Sequence, residues 1–294
     1  MRRSLLAVGA IVATVGLASC SSGSTKATID QYVASFGAQP YAQLHLTLSA
    51  GGVGSAKAQS VLKQLSMDMR FASTSGSSLS SSAGAVNTEV LVNIGASPAV
   101  DLREVDGNVY LRFDLSGLSA IPGINVTQSQ IATVQLLLGN RWFEIPKSLV
   151  NAIAPSSTAQ QHKAAADRVL GQKFVDALSN LIVNSKITSI KNGYATSGSI
   201  QSVVDAIAPV IHQAHAGTSV PTHATGSYAL TLTASGSTVT GGSVSIIAPG
   251  GAAKGNATLK MTVSHDTVTI TAPSGATVVT PQLIAQLRSG GGLG

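Results

Sequence analysis

The chain has one cysteine and one tryptophan, and charged side chains at only 10% of its 294 positions. A single thiol excludes a disulfide framework within the chain. The thin charge, net +6 with no run of Lys and Arg interleaved with aromatics, does not suit nucleic acid. Its one strongly apolar opening stretch, residues 5–17, is too short for a comfortable bilayer span. No G-x-S-x-G elbow, H-E-x-x-H pair or phosphate-cradling glycine loop is present. Ser60-Val61-Leu62-Lys63 fits S-x-x-K, but the K-T-G and S-D-N segments that would give it catalytic context are missing. No catalytic residue is assigned, and a non-enzymatic protein is expected.

Metal chemistry is equally thin. His212 and His215 stand one helical turn apart and His223 follows in a Pro/Thr-rich stretch, without a further strong donor at fixed spacing. No metal ligand and no cofactor is therefore expected. Asp101, Glu104, Asp106 and Asp114 gather beside Arg103 and Arg112, and the pattern reads as ordinary sheet-surface charge. Trp142 is expected to fill the interior or rim of a sheet rather than to stack a substrate.

What is present begins with an address. Met1-Arg2-Arg3, an uncharged apolar stretch and Leu17-Ala18-Ser19 before Cys20 make an export signal over residues 1–19. The pattern resembles the bacterial lipobox, which implies that the Cys20 sulfur takes a diacylglyceryl group and becomes the first residue of the mature protein. At about 0.8 kcal/mol per buried CH₂, two or more long acyl chains hold a protein on a bilayer almost permanently. The expected location is the extracytoplasmic face of the cell membrane. Loss of Arg2 and Arg3 lowers the net charge from +6 to +4, and the acidic neighbours expected for such a chain are anionic lipid head groups or wall polymers.

Residues 20–39 read as a polar tether and a short helix, with Ile29, Tyr32, Val33 and Phe36 on one face. Residues 40–287 read as one α+β domain, or two similar halves at about 40–140 and 190–287, and residues 288–294 as a flexible tail. Leu44, Leu46 and Leu48, then Met67, Met69 and Phe71, then Val90, Val92 and Ile94 alternate with polar residues, the period of strands with one buried face. A Ser/Gly-rich stretch from Ser73 to Ala85 reads as an exposed loop.

Asp106-Gly107 fits a hairpin turn, and pairing outward from it sets Leu102 against Leu111 and Val100 against Phe113 on one face. The other face then pairs Asp101 with Arg112 and Arg103 with Tyr110. A second hairpin is expected around His265-Asp266, with Val263 against Val268 and Met261 against Ile270. Thr127 to Gln130 resembles a capping box opening a helix. Two further helices are expected over 159–183 and 199–214, separated by Gly193 and Gly198. A faint echo, V-T-x-x-x-I-A at Val126 and again at Val279, would place Pro281 at the first position of a closing helix.

The lipobox, the meander of amphipathic strands and the hairpin "DLREVDGNVYLRFDL" followed by "GNRWFEIP" together resemble actinobacterial cell-envelope lipoproteins of the LppX/LprG type. These share a curved half-barrel with LolA-like periplasmic lipid carriers. The resemblance implies a strongly curved antiparallel sheet with helices packed on its concave face, and an apolar groove that takes the acyl chains of a lipid or lipoglycan. On that reading the lining is Leu46, Leu48, Met67, Met69, Val90, Val92, Leu102, Leu111 and Phe113. The alternative is a structural or interaction lipoprotein whose own side chains fill the core and whose partner is an unidentified protein or the cell wall. Periodicity locates a buried face without saying whether protein or ligand lies against it.

Overall fold

Alternation of apolar and polar side chains builds the body of the molecule from strands. The structure, a computed structural model, describes residues 35–52, 59–60, 62–82, 85–95, 97–114, 139, 141–153, 173, 185, 187–214, 223–249 and 255–282. The first run of strands is β1 (Tyr41–Gly51), β2 (Leu65–Ser73), β3 (Val86–Ile94), β4 (Ser97–Val105), β5 (Asn108–Phe113) and β6 (Phe143–Ile145). The second is β7 (Thr188–Ile190), β8 (Gly193–Ser199), β9 (Ser227–Ser235), β10 (Thr238–Ala248) and β11 (Gly255–Ser264). A last short strand, β12 (Thr277–Val278), completes the set. Helix α1 (Lys147–Ile153) lies against β5, and α2 (Ile200–Ala214) against β8.

The twelve strands among the described residues form one curved sheet in the order β12-β6-β5-β4-β3-β2-β1-β11-β10-β9-β8-β7. Each run is an antiparallel meander, and the pairing of β1 with β11 joins the two. Only β12 pairs in parallel, beside β6. Strands β12 and β7 are the two edges, so the sheet is unclosed.

The hairpin of β4 and β5 has the expected register: Leu102 faces Leu111, Val100 faces Phe113, Asp101 faces Arg112 and Arg103 faces Tyr110. Asp106 at φ 52° and Gly107 at φ 85° supply the two positive angles that the two-residue turn requires. Helix α2 also starts where expected, with Ser199 Oγ accepting from the Ser202 amide at 3.1 Å. Pro281 and Gln282 are helical. The capping box at 127–130, the helix over 159–183 apart from Lys173, the signal, Cys20, His215 and the tail lie outside the described residues.

Three expectations are corrected. Between the predicted helices there is not a simple break but the hairpin of β7 and β8. Its turn is Lys191-Asn192, with Asn192 at φ 63°, and a Cβ on Gly193 would come within 1.9 Å of the Leu232 carbonyl oxygen. The Ser-rich stretch between β2 and β3 is not merely an exposed loop. Leu79 turns into the core, its amide bonded to the Gln39 carbonyl, while Ser82 Oγ is buried against Ser73 Oγ at 2.7 Å and donates to the Ser78 carbonyl.

The third correction concerns His265-Asp266, which makes no hairpin. After Ser264 the chain leaves the sheet and runs across one face toward β6, and Val263 and Met261 pair with Leu44 and Leu46 of β1 instead. At about 3.3 Å per residue this strap reaches roughly 43 Å, ample for the roughly 29 Å of strand spacings between β11 and β6. It is held by Gln43 Nε2 on the Asp266 carbonyl, Asn87 Nδ2 on the Ile270 carbonyl and Arg103 on the Thr271 carbonyl. Thr277 and Val279 then donate their amides to the Trp142 and Glu144 carbonyls. Val268 and Ile270 pack beneath the strap on Ala72, Val105, Tyr110, Tyr41 and Trp142.

Candidate functional site

Period-2 alternation, shifted between Val92 and Asn93 and between Val239 and Gly241, gives the sheet two unlike faces. The residues predicted to line a groove share one of them. Leu46, Met67, Val92 and Phe113 fall in one cross-strand row through Val100, while Met69, Val90, Leu102 and Leu111 fall in the next, and Leu48 lies one row beyond. Sequence reasoning stopped short of the other half of the face. There Leu48 continues through Leu259 and Val244 to Leu230, and Leu46 through Met261 and Gly242 to Leu232. The signal was present in the alternation of Tyr228, Leu230 and Leu232 and of Val244 and Ile246.

Packing on this face is uneven. Toward the end where β1 begins, Ala42, Leu44, Leu46, Met69 and Phe71 are buried, with Leu79 and Val86 from the Ser-rich loop and β3, and Phe36 packs against them. Toward the opposite end Leu259, Val244 and Ile246 remain 38%, 36% and 45% exposed. Two hydroxyls in this face, Thr88 Oγ1 and Thr196 Oγ1, are buried without a hydrogen-bond partner among the described residues. Tyr228 crosses the row at Gly198, where any Cβ would approach the ring carbon Cε1 to 2.7 Å, and its hydroxyl meets Ser185 Oγ at 2.9 Å. An alkyl chain makes no directional demand, so a face of Leu, Val, Ile and Met can receive one by area alone.

The opposite face carries the charges. Glu89 takes Arg70 and Arg103, each at 2.8 Å, and Asp101 takes Arg112 at 3.1 Å and Arg103 at 3.4 Å. The guanidinium carbons of Arg103 and Arg112 lie 4.7 and 4.9 Å from the ring centre of Trp142. Asp101 is therefore no ordinary surface charge, being only 1% exposed. Burial pushes its carboxyl above the usual value of 3.8, and the Glu89 charge adds to this, while Arg103 and Arg112 pull against it. Glu104, grouped with Asp101 by sequence proximity, falls in the row of Thr88 and Val109, on the apolar side.

Farther along, His45 Nδ1 meets Asp68 Oδ1 at 2.6 Å, and Asn93 donates to the other carboxylate oxygen at 2.8 Å. Hydroxyl pairs Thr231–Ser243 at 2.7 Å and Ser245–Thr258 at 2.9 Å continue the polar surface across β9, β10 and β11. Ser60 and Lys63 lie in the connection from β1 to β2, with the Lys63 amide bonded to the Gln59 carbonyl. His212 is exposed on α2, and His223 precedes β9. Among the described residues no group of three His, Cys, Asp or Glu side chains is disposed to hold a metal ion, and no helix is long and apolar enough to cross a membrane.

No protein-family model and no curated protein matches the chain. Among solved structures it is similar to the Mycobacterium tuberculosis lipoprotein LppX, at 10% identity over 85% of this chain and 100% of that one, with a TM-score of 0.37.

Proposed function

We propose that this chain is a lipid-anchored, non-enzymatic protein of the outer face of the cell membrane that receives the acyl chains of a lipid or lipoglycan on the apolar face of its sheet. On this reading helices pack on the concave side of the sheet, as the resemblance to LppX/LprG-type lipoproteins implies, and Cys20 carries the anchor. One observation supports this reading above the others. Apolar side chains continue row after row from β5 to β9, yet at Leu259, Val244 and Ile246 the packing gives out and the face stays open. A self-sufficient core would bury such residues, because each aliphatic side chain removed from water stabilises the fold by about 1.5–3 kcal/mol.

The test is native mass spectrometry with lipid extraction on a chain beginning at Ser21, made without the anchor. An acylated ligand held by the folded chain, and displaced in the Leu259→Asp variant, supports the proposal. A ligand-free, well-packed chain that takes up no acylated lipid removes it and leaves the self-filled interaction protein.

A further inference from the structure

One row of the apolar face runs into an unanswered polar group. Leu48, Leu259, Val244 and Leu230 form a cross-strand row that ends at Thr196 on β8. Thr196 is only 8% exposed, and its Oγ1 has no hydrogen-bond partner among the described residues. Buried hydroxyls are normally bonded, and valine would give the same branched shape without stranding a donor. We infer that Thr196 is the polar terminus of the acyl site, donating its hydroxyl proton to the carbonyl of an acyl ester whose alkyl chain lies along this row. The inference rests on the acyl-binding reading above and adds to it the ligand's functional group and its direction.

Length and charge agree on the class of ligand. From β8 to β1 there are four strand spacings, about 19 Å. Half the hydrocarbon core of a bilayer, which one acyl chain spans, is about 15 Å. One extended chain therefore lies along the row with its carbonyl at Thr196. Among the described residues, this row and the rows on either side, through Leu232 and through Tyr228, contain no Lys, Arg or His. A free fatty acid would leave its carboxylate there with no cation to balance it, so the neutral ester is favoured. Two residues along β8 from Thr196, about 7 Å away, the Tyr228 and Ser185 hydroxyls meet at 2.9 Å beside Gly198. The alcohol part of the ester thus finds polar groups at the same end. Thr88, the other stranded hydroxyl of this face, lies in the row of Ala42 and Phe71 within the packed end, which makes it the natural control.

The experiment sets two lipids of equal chain length against each other on a chain beginning at Ser21, which keeps every described residue. An equimolar mixture of 1-hexadecanoylglycerol, the ester, and 1-O-hexadecylglycerol, the ether that lacks the carbonyl, is added, and native mass spectrometry reads the ratio of the two complexes. The ester complex should exceed the ether complex about tenfold. Thr196→Val should bring the ratio close to unity without lowering the thermal midpoint, because it removes a stranded hydroxyl and keeps the shape. Thr196→Ser, which retains the hydroxyl, and Thr88→Val should both keep the preference. Equal complexes in the unaltered chain would overturn the inference while leaving acyl binding in place. A preference that survives Thr196→Val, or is lost equally in Thr88→Val, would overturn it too. Binding of neither lipid would remove the acyl-binding reading and this inference together.

Discussion

Single residues carry their legibility unevenly, and Asp101 illustrates why. Its partner Arg112 was readable, because the Asp106-Gly107 turn fixes the register and period 2 fixes the face. Its burial was not, since that depends on Trp142 arriving over Arg103 and Arg112 from β6, and on the strap's Thr271 carbonyl receiving Arg103 from far along the chain. The physical consequence runs against that of an exposed salt bridge. A carboxyl raised on folding binds its proton more tightly in the folded state, so its favourable contribution is complete below the unfolded value of about 3.9 and is lost as pH rises through the raised one. Urea unfolding of the protein and of Asp101→Asn across the acidic range should therefore give a stability difference, protein minus variant, that falls as pH rises. A difference that grows with pH would contradict this account of the buried carboxyl.

At the scale of elements, local signals succeeded where neighbours in sequence are neighbours in space. Strands β1 to β5 and the cap of α2 depend on alternation, a D-G turn and one serine, all local. The β7–β8 hairpin is also locally encoded, in the left-handed Asn192 before Gly193, although the glycines there are equally compatible with a break between helices. The strap could not be read that way. Its T-V-T-I-T alternation matches that of a paired strand because Val268 and Ile270 do face a sheet, but they cross it rather than extend it. Ile270 is the buried centre of that crossing. Ile270→Ala is expected to cost about 2–5 kcal/mol. The loss should be local first: hydrogen exchange at the Thr277 and Val279 amides, bonded to β6, should accelerate more than at amides shared by β1 and β2. Uniform acceleration would mean that the strap and the sheet open together.

For the whole molecule, sequence and structure bear on different questions. The proposed anchor is legible only in sequence, at Cys20 directly after residues 1–19, and predicts a simple physical change. If Cys20 is acylated as proposed, Cys20→Ala should move the protein from the membrane fraction to the soluble one and abolish incorporation of labelled fatty acid, because two or more long acyl chains would supply most of the membrane affinity. The continuity of the apolar face across both meanders became visible only when β1 was found beside β11. No local pattern encodes a pairing between the first and last long strands.

The central claim is that this face, and not the hydroxyl- and charge-bearing one, meets an acyl chain. Its most direct measurement is the pattern of intermolecular nuclear Overhauser contacts between the methylene protons of a bound fatty-acyl lipid and the methyl groups of the protein. The account predicts contacts to Leu48, Val244 and Leu259, and none to Thr231 or Thr262 on the reverse side. Contacts confined to those threonines, or no contacts at saturating lipid, would contradict it.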